Sequence, residues 1–217
     1  MILQLEEDVT YSLVYMPQAV DPVLHRRHDL FNIVALPIII YFLIIFLTAY
    51  RTNIYAPFTN VCAIGEVYFL IDTVWLLLFP RSVSSPNVII GHHFIAALGW
   101  YCPMWEPSLA GYVAACLLVE VNTFFLIGKR YFANIAILKI PFKVCFHVTW
   151  VILRVLMYPI IVYVFAFEAI EHTRSLGSIV NIFALGWVLV ASLTLLNFKW
   201  TYDLYYGKIE SSRKTGL

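Results

Sequence analysis

Residues 58–79 read FTNVCAIGEVYFLIDTVWLLLF, an apolar run interrupted by two acids, Glu66 and Asp72. A hydrocarbon core about 30 Å thick takes roughly 20 residues of helix at about 1.5 Å each, so the run is long enough to cross. A segment that crosses must satisfy its own backbone polar groups, which makes it a helix. Five more stretches of this kind lie at 30–50, 88–105, 108–128, 144–167 and 177–198, the one at 88–105 carrying Pro103 near its end. No apolar/polar alternation of the membrane-barrel kind appears. The prediction is an all-α polytopic membrane protein with six spans.

Composition agrees. Of 217 residues, 62% are hydrophobic and 12% charged, about half the charge of a soluble domain, which excludes a soluble globule. The net charge of +1 leaves no footprint for neutralising a phosphate backbone, so nucleic acid is excluded as a partner. Cys62, Cys102, Cys116 and Cys145 form no CxxC pair and sit mostly in apolar runs, where thiols behave as small hydrophobes. Neither a disulfide framework nor a metal site is expected. The opening MILQLEEDVTYSLVYMP has Glu6, Glu7 and Asp8 where a secretory signal has bases, so internal spans are expected to carry the chain into the membrane.

With six spans, Arg26, Arg27, Arg81, Lys129, Arg130, Lys139, Lys143, Lys199, Lys208, Arg213 and Lys214 share one side, and only Arg51 and Arg174 fall on the other. The positive-inside rule then puts both termini in the cytosol. Three parts are expected: a cytosolic arm at 1–29, resting on the membrane through Leu13, Val14 and Tyr15; one transmembrane domain at 30–200; and a loosely ordered tail at 201–217. The longest connection is the cytosolic segment 129–143. Tyr50, Trp100, Tyr101, Trp105, Trp200, Tyr202, Tyr205 and Tyr206 read as an aromatic belt at the interfaces.

Ionisable groups inside spans cost several kcal/mol unless they pair or line a cavity, so each is a functional candidate. Besides Glu66 there are Asp72, His92, His93, Glu120, His147 and Arg154. Counted from the cytosolic ends, these six lie roughly 5–15 Å deep, in one half of the membrane and on four spans. Tyr68 and Asp72 are i,i+4, and His147, Trp150 and Arg154 follow at +3 and +7, so each set shares a helix face. Adjacent His92 and His93 point about 100° apart, so one can reach a reacting atom while the other orients it or faces a neighbouring helix. Imidazole can serve as base or acyl acceptor, and Asp72 or Glu120 can fix its tautomer. Arg154 has two readings: an anchor for an anionic substrate group, or one half of a buried ion pair with Glu120 or Asp72 that sets helix packing. His147 also reads as an interfacial histidine.

Four runs together resemble the TLC-domain family, which includes the ceramide synthases. They are Tyr68-Phe-Leu-Ile-Asp72, Gly91-His92-His93, Glu120-Val-Asn122-Thr123 with the following aromatics and Lys129-Arg130, and Arg154-x-x-x-Tyr158-Pro159. The likeness covers about residues 58–170. It implies a six-helix bundle around a central lipid cavity, and it matches His92 and His93 to the histidine pair that serves acyl transfer from acyl-CoA to a sphingoid amine. Glu120 and Asn122 stand where the synthases carry further aspartates, and Phe124 where many less characterised members have Pro. The chain is therefore more similar to those members than to a synthase.

The resulting expectation is an endoplasmic-reticulum or other endomembrane protein of sphingolipid or phospholipid metabolism. In an N-acyl transfer, His92, His93, Asp72 and Glu120 would be catalytic. Tyr68, Asn122, His147, Trp150 and Arg154 would bind substrate, and Lys129 and Arg130, with Lys139 and Lys143, would draw the anionic CoA. Membrane lipids are the expected partners and acyl-CoA the co-substrate, with no resident cofactor and with homo-oligomerisation left open. One alternative is a non-enzymatic lipid binder that regulates membrane composition or escorts cargo. The other is a proton-coupled carrier.

Overall fold

The computed structural model describes residues 19–51 and 58–215. Helix α1 spans Pro22–Arg51, α2 Phe58–Leu78, α3 Pro86–Trp105, α4 Ala110–Leu117, α5 Val119–Tyr131, α6 Ala136–Thr149, α7 Tyr158–Leu176 and α8 Ile182–Thr215. Short 3-10 turns at Pro80–Ser82 and Pro107–Leu109 precede α3 and α4, and a π-helical segment, Trp150–Met157, joins α6 to α7. The arm contacts expected of Leu13, Val14 and Tyr15 lie outside the described residues.

Local chemistry sets the ends. Pro22 opens α1 behind Asp21, whose carboxylate accepts from the amides of Val23 at 2.8 Å and Leu24 at 3.1 Å; a cap and an N1 proline together satisfy and pre-shape the first turn. Glu106 does the same at the turn before α4, accepting from Ser108 N and Oγ, and Asn181 accepts from Ala184 N at the start of α8. Gly177 ends α7 at φ 63°, a left-handed residue that only glycine adopts without strain.

Several limits differ from those read off hydropathy. α1 begins at Pro22 rather than residue 30, so residues 22–29 of the expected cytosolic arm are helix. Pro103 does not cut α3 short, because Pro near the end of a membrane helix frees few backbone groups. The expected span at 108–128 is broken at Leu118, where Leu118 N turns back to Ala115 O at 3.2 Å. The expected connection 129–143 is helical from Ala136, so the fifth span is the last part of a 41-residue helical run from Ala136 to Leu176. The tail is helical to Thr215 rather than loosely ordered.

Five helical stretches among the described residues are long and apolar enough to cross a membrane. α3, with 20 residues, is diluted by its two histidines but completes the set. Neighbour contacts run α1–α2–α3–α8–α7 and then from α6 through α5 back to α1, a closed ring of six spans in the order 1-2-3-6-5-4. The protein is thus a multi-pass integral membrane protein. Lipid is as apolar as leucine, so helices in a bilayer associate through close packing and polar contacts. Gly65 lets the Trp100 ring lie against α2, and Gly128 admits Phe142; a Cβ at either position would overlap that ring.

Gly128→Val is expected to cost about 1–3 kcal/mol through overpacking. In detergent this would appear as a lowered thermal midpoint, and a Phe142→Ala change in the same chain should recover part of it.

Candidate functional site

Asp72, 2% exposed, lies where α2 meets α1 and α3. Its Oδ1 accepts from His28 Nε2 at 2.6 Å and from Asn32 Nδ2 at 3.4 Å, while His93 Nε2 stands 3.6 Å from Oδ2. Asn32 Nδ2 also donates to the His28 carbonyl at 3.0 Å, and Tyr68 OH donates to Asn32 Oδ1 at 2.6 Å. The carboxylate only accepts, so both histidines turn an Nε2–H toward it. The Thr73 hydroxyl, 3.1 Å from His93 Nδ1, then donates to that nitrogen. One carboxylate and five polar partners thus tie three helices together.

The histidine doublet divides accordingly. His93 is spent on Asp72 and Thr73, and it serves as a strut. His92, a third of a turn away, faces inward. Its Nδ1 is buried and has no hydrogen-bond partner among the described residues. Around its ring stand Trp200 at 5.4 Å and Phe69 at 6.4 Å, both edge to face.

His92 lines an open pocket between α2, α3, α4, α5, α7 and α8. The wall is apolar: Ile95, Trp100, Leu109, Val113, Phe165, Leu189 and Leu193 among others. Tyr158 also lines it, but its hydroxyl is spent on the Cys116 carbonyl at 3.1 Å. His92 and Glu120, the latter 4% exposed, supply the imidazole and the carboxylate of the lining, beside the thiols of Cys102 and Cys116 and the phenol of Tyr112. The lining runs from Leu109 along α4 to Glu120 at the start of α5, so the space is a slot with a long apolar body.

Arg154, 5% exposed, sits in the π segment. Glu120 acts on it through its charge without a direct salt bridge, and the hydrogen bonds go to other groups. Nε donates to Asn122 Oδ1 at 2.8 Å, Nη1 to Asn197 Oδ1 at 2.7 Å and Nη2 to Thr123 Oγ1 at 3.1 Å. Its charge lies 5.0 Å from the Trp150 ring centroid and 5.3 Å from that of Trp200. Amide dipoles and indole faces accommodate a cation without desolvating a second ion. Asn122 in turn donates to Phe146 O and Thr149 Oγ1, and Trp150 Nε1 to Thr201 Oγ1 at 3.1 Å, so this second polar cluster joins α5, the π segment and α8.

The remaining expected site residues stand apart from the slot. Arg130 pairs with buried Asp29 at 2.6 Å, Lys129 Nζ lies 3.9 Å over the Phe146 ring, and His147 packs beside Phe146 and Tyr205. Trp100 and Trp200, expected in the interfacial belt, instead line the cavity and pack on His92, respectively. Sequence reading passed over His28, Asn32, Asn197 and Thr201. Each pair is i,i+4, the spacing that marks a polar stripe on an otherwise apolar helix.

With this geometry in hand, comparison with protein families is decisive. A TLC-domain family model matches residues 30–205. The chain belongs to the TLC-domain family. Neither a curated protein nor a solved structure matches it. The TLC match runs from α1 into α8, so it takes in all six spans of the ring and extends past the four motifs on both sides. It makes this TLC-domain chain a membrane protein of lipid-related function.

Asp72→Ala would strand two imidazoles in the bundle and is expected to cost about 3–5 kcal/mol, the range for breaking a buried pair. His28→Ala should cost less. The double variant should cost less than the two together, because both act on one cluster; thermal unfolding in detergent measures all three.

Proposed function

We propose that the protein binds a long-chain membrane lipid in this slot, hydrocarbon along the apolar wall and polar head at His92 and Glu120. It would act in sphingolipid or phospholipid metabolism of the endoplasmic reticulum or another endomembrane, with both termini cytosolic. The observation that carries the reading is an apolar slot whose wall holds an imidazole and a carboxylate. Ligand sites are mostly apolar with a few convergent polar groups that fix orientation. A carboxylate and an imidazole in the wall of one slot suit a head that donates hydrogen bonds, an amine above all. The orientation agrees with the face formed by Arg26, Arg81 and Arg130, where Arg26 lies over Tyr131 and Asp21 N meets Arg81 O.

A second reading adds chemistry, and the unpartnered Nδ1 of His92 favours it. His92 would take the proton of a long-chain amine as the amine nitrogen attacks the thioester carbonyl of an acyl-CoA. The C–N bond forms, the C–S bond breaks, and the proton passes to the departing thiolate. Glu120 would steady the imidazolium. His93 and Asp72 would hold α3 in place.

Extraction of the purified protein followed by mass spectrometry is expected to yield a long-chain lipid. His92→Ala and Glu120→Gln should each lower its occupancy about tenfold, the loss of one hydrogen bond involving a charged group. Wild-type occupancy in both variants would overturn the binding site. Incubation with acyl-CoAs and long-chain amines separates the two readings: amide product that requires His92 establishes transfer, and bound lipid without product leaves a binding protein.

A further inference from the structure

We propose that Trp200 is the positioning residue for His92, and that Arg154 acts on the slot through it. This rests on the reading that His92 meets the lipid head. An imidazole on a Cβ–Cγ bond has a broad torsional preference, and His92 Nδ1 has no hydrogen bond to hold it. Its orientation is left to ring packing. Trp200 is nearer than Phe69, with ring centroids 5.4 Å apart and planes at 69°, the edge-to-face arrangement in which one ring fixes the tilt of the other.

Trp200 is itself held firmly. Its flanking residues on α8 are both bound to the π segment, Asn197 by Arg154 at 2.7 Å and Thr201 by Trp150 at 3.1 Å, and the Thr201 hydroxyl closes back on the Asn197 carbonyl at 2.7 Å. The guanidinium lies 5.3 Å from the Trp200 ring centroid and 5.0 Å from that of Trp150. The wider turn of a π helix, a feature concentrated at functional sites, presents Trp150 and Arg154 to α8 together. Nearby Tyr202 and Tyr206 are 62% and 59% exposed, as belt residues are; Trp200 turns the other way. The contacts therefore run from Arg154 to Trp200 to His92, and only His92 of the three lines the slot.

The test uses the full chain in detergent with two readouts. In spectra of histidine-labelled protein, the His92 ring signal, assigned by its loss in His92→Ala, should move in Trp200→Leu and stay in place in Trp105→Leu, whose indole is 80% exposed. Co-purified lipid should fall about three- to tenfold in Trp200→Leu, the worth of one aromatic pair, and stay within about twofold in Trp200→Phe, which keeps a ring. His92→Ala, Trp200→Leu together should hold no less lipid than His92→Ala alone, because Trp200 acts through the imidazole. An unmoved His92 signal, or singles whose losses multiply in the double variant, would overturn the inference. Full lipid occupancy in His92→Ala would overturn the slot reading while the spectra still decide whether Trp200 orients the ring. If Trp200→Leu fails to fold, Trp200→Met, which keeps bulk and removes the ring, carries the same spectral test.

Discussion

A carboxylate inside hydrocarbon must find donors, and Asp72 finds them on two neighbouring helices. That requirement organises one half of the bundle. His28 and Asn32 come from α1 and His93 from α3, so α2 holds both its neighbours through one side chain. Apolar packing between membrane helices is non-directional and competes with lipid on nearly equal terms. The polar cluster therefore supplies what packing lacks, a register for α1 and α3 against α2. Close approach does the rest, as where Trp100 lies against Gly65.

Partner assignment also separates residues that look alike in sequence. Asp72 and Glu120 are both buried acids at similar depth, yet one is enclosed by donors and the other lines the slot. His92 and His93 are adjacent, and the 100° between them sends one to the cavity and the other to Asp72. Saturated groups hold the fold. Groups that line the slot are the ones available to a ligand, and here these include an imidazole and a carboxylate in an apolar wall.

The spans were legible because hydrocarbon thickness sets a length that hydropathy can measure. Their limits were less so: Pro22 to Asp29 is polar, and nothing in hydropathy shows that an Asp21 cap and an Arg130–Asp29 pair extend α1 by two turns. The same polarity hid His28, placed by composition in an arm though its partner lies in the membrane. Asp72, His92, His93, Glu120, Asn122 and Arg154 stood out because charge and amide groups in spans are rare. Who pairs with whom did not, since helix order around the ring is not written in local spacing. Arg154 shows the difference, its expected carboxylate replaced by two asparagines, a threonine and two indoles.

That replacement has a structural consequence. A direct salt bridge between Arg154 and Glu120 would have consumed the one carboxylate that lines the slot. Neutral acceptors on α5 and α8 take the guanidinium's hydrogen bonds instead, at distances of 2.7–3.1 Å. Asn122 has its own donors committed to Phe146 O and Thr149 Oγ1, which turns its Oδ1 toward Arg154 with no freedom to flip. The hydrogen bonds of the cation are thus satisfied before any ligand arrives, while Glu120 lines the cavity beside Thr123 and within the field of that charge. In the hydrocarbon interior, where each unpaired charge is costly, such a division lets one buried acid face a ligand while the bundle around it stays closed.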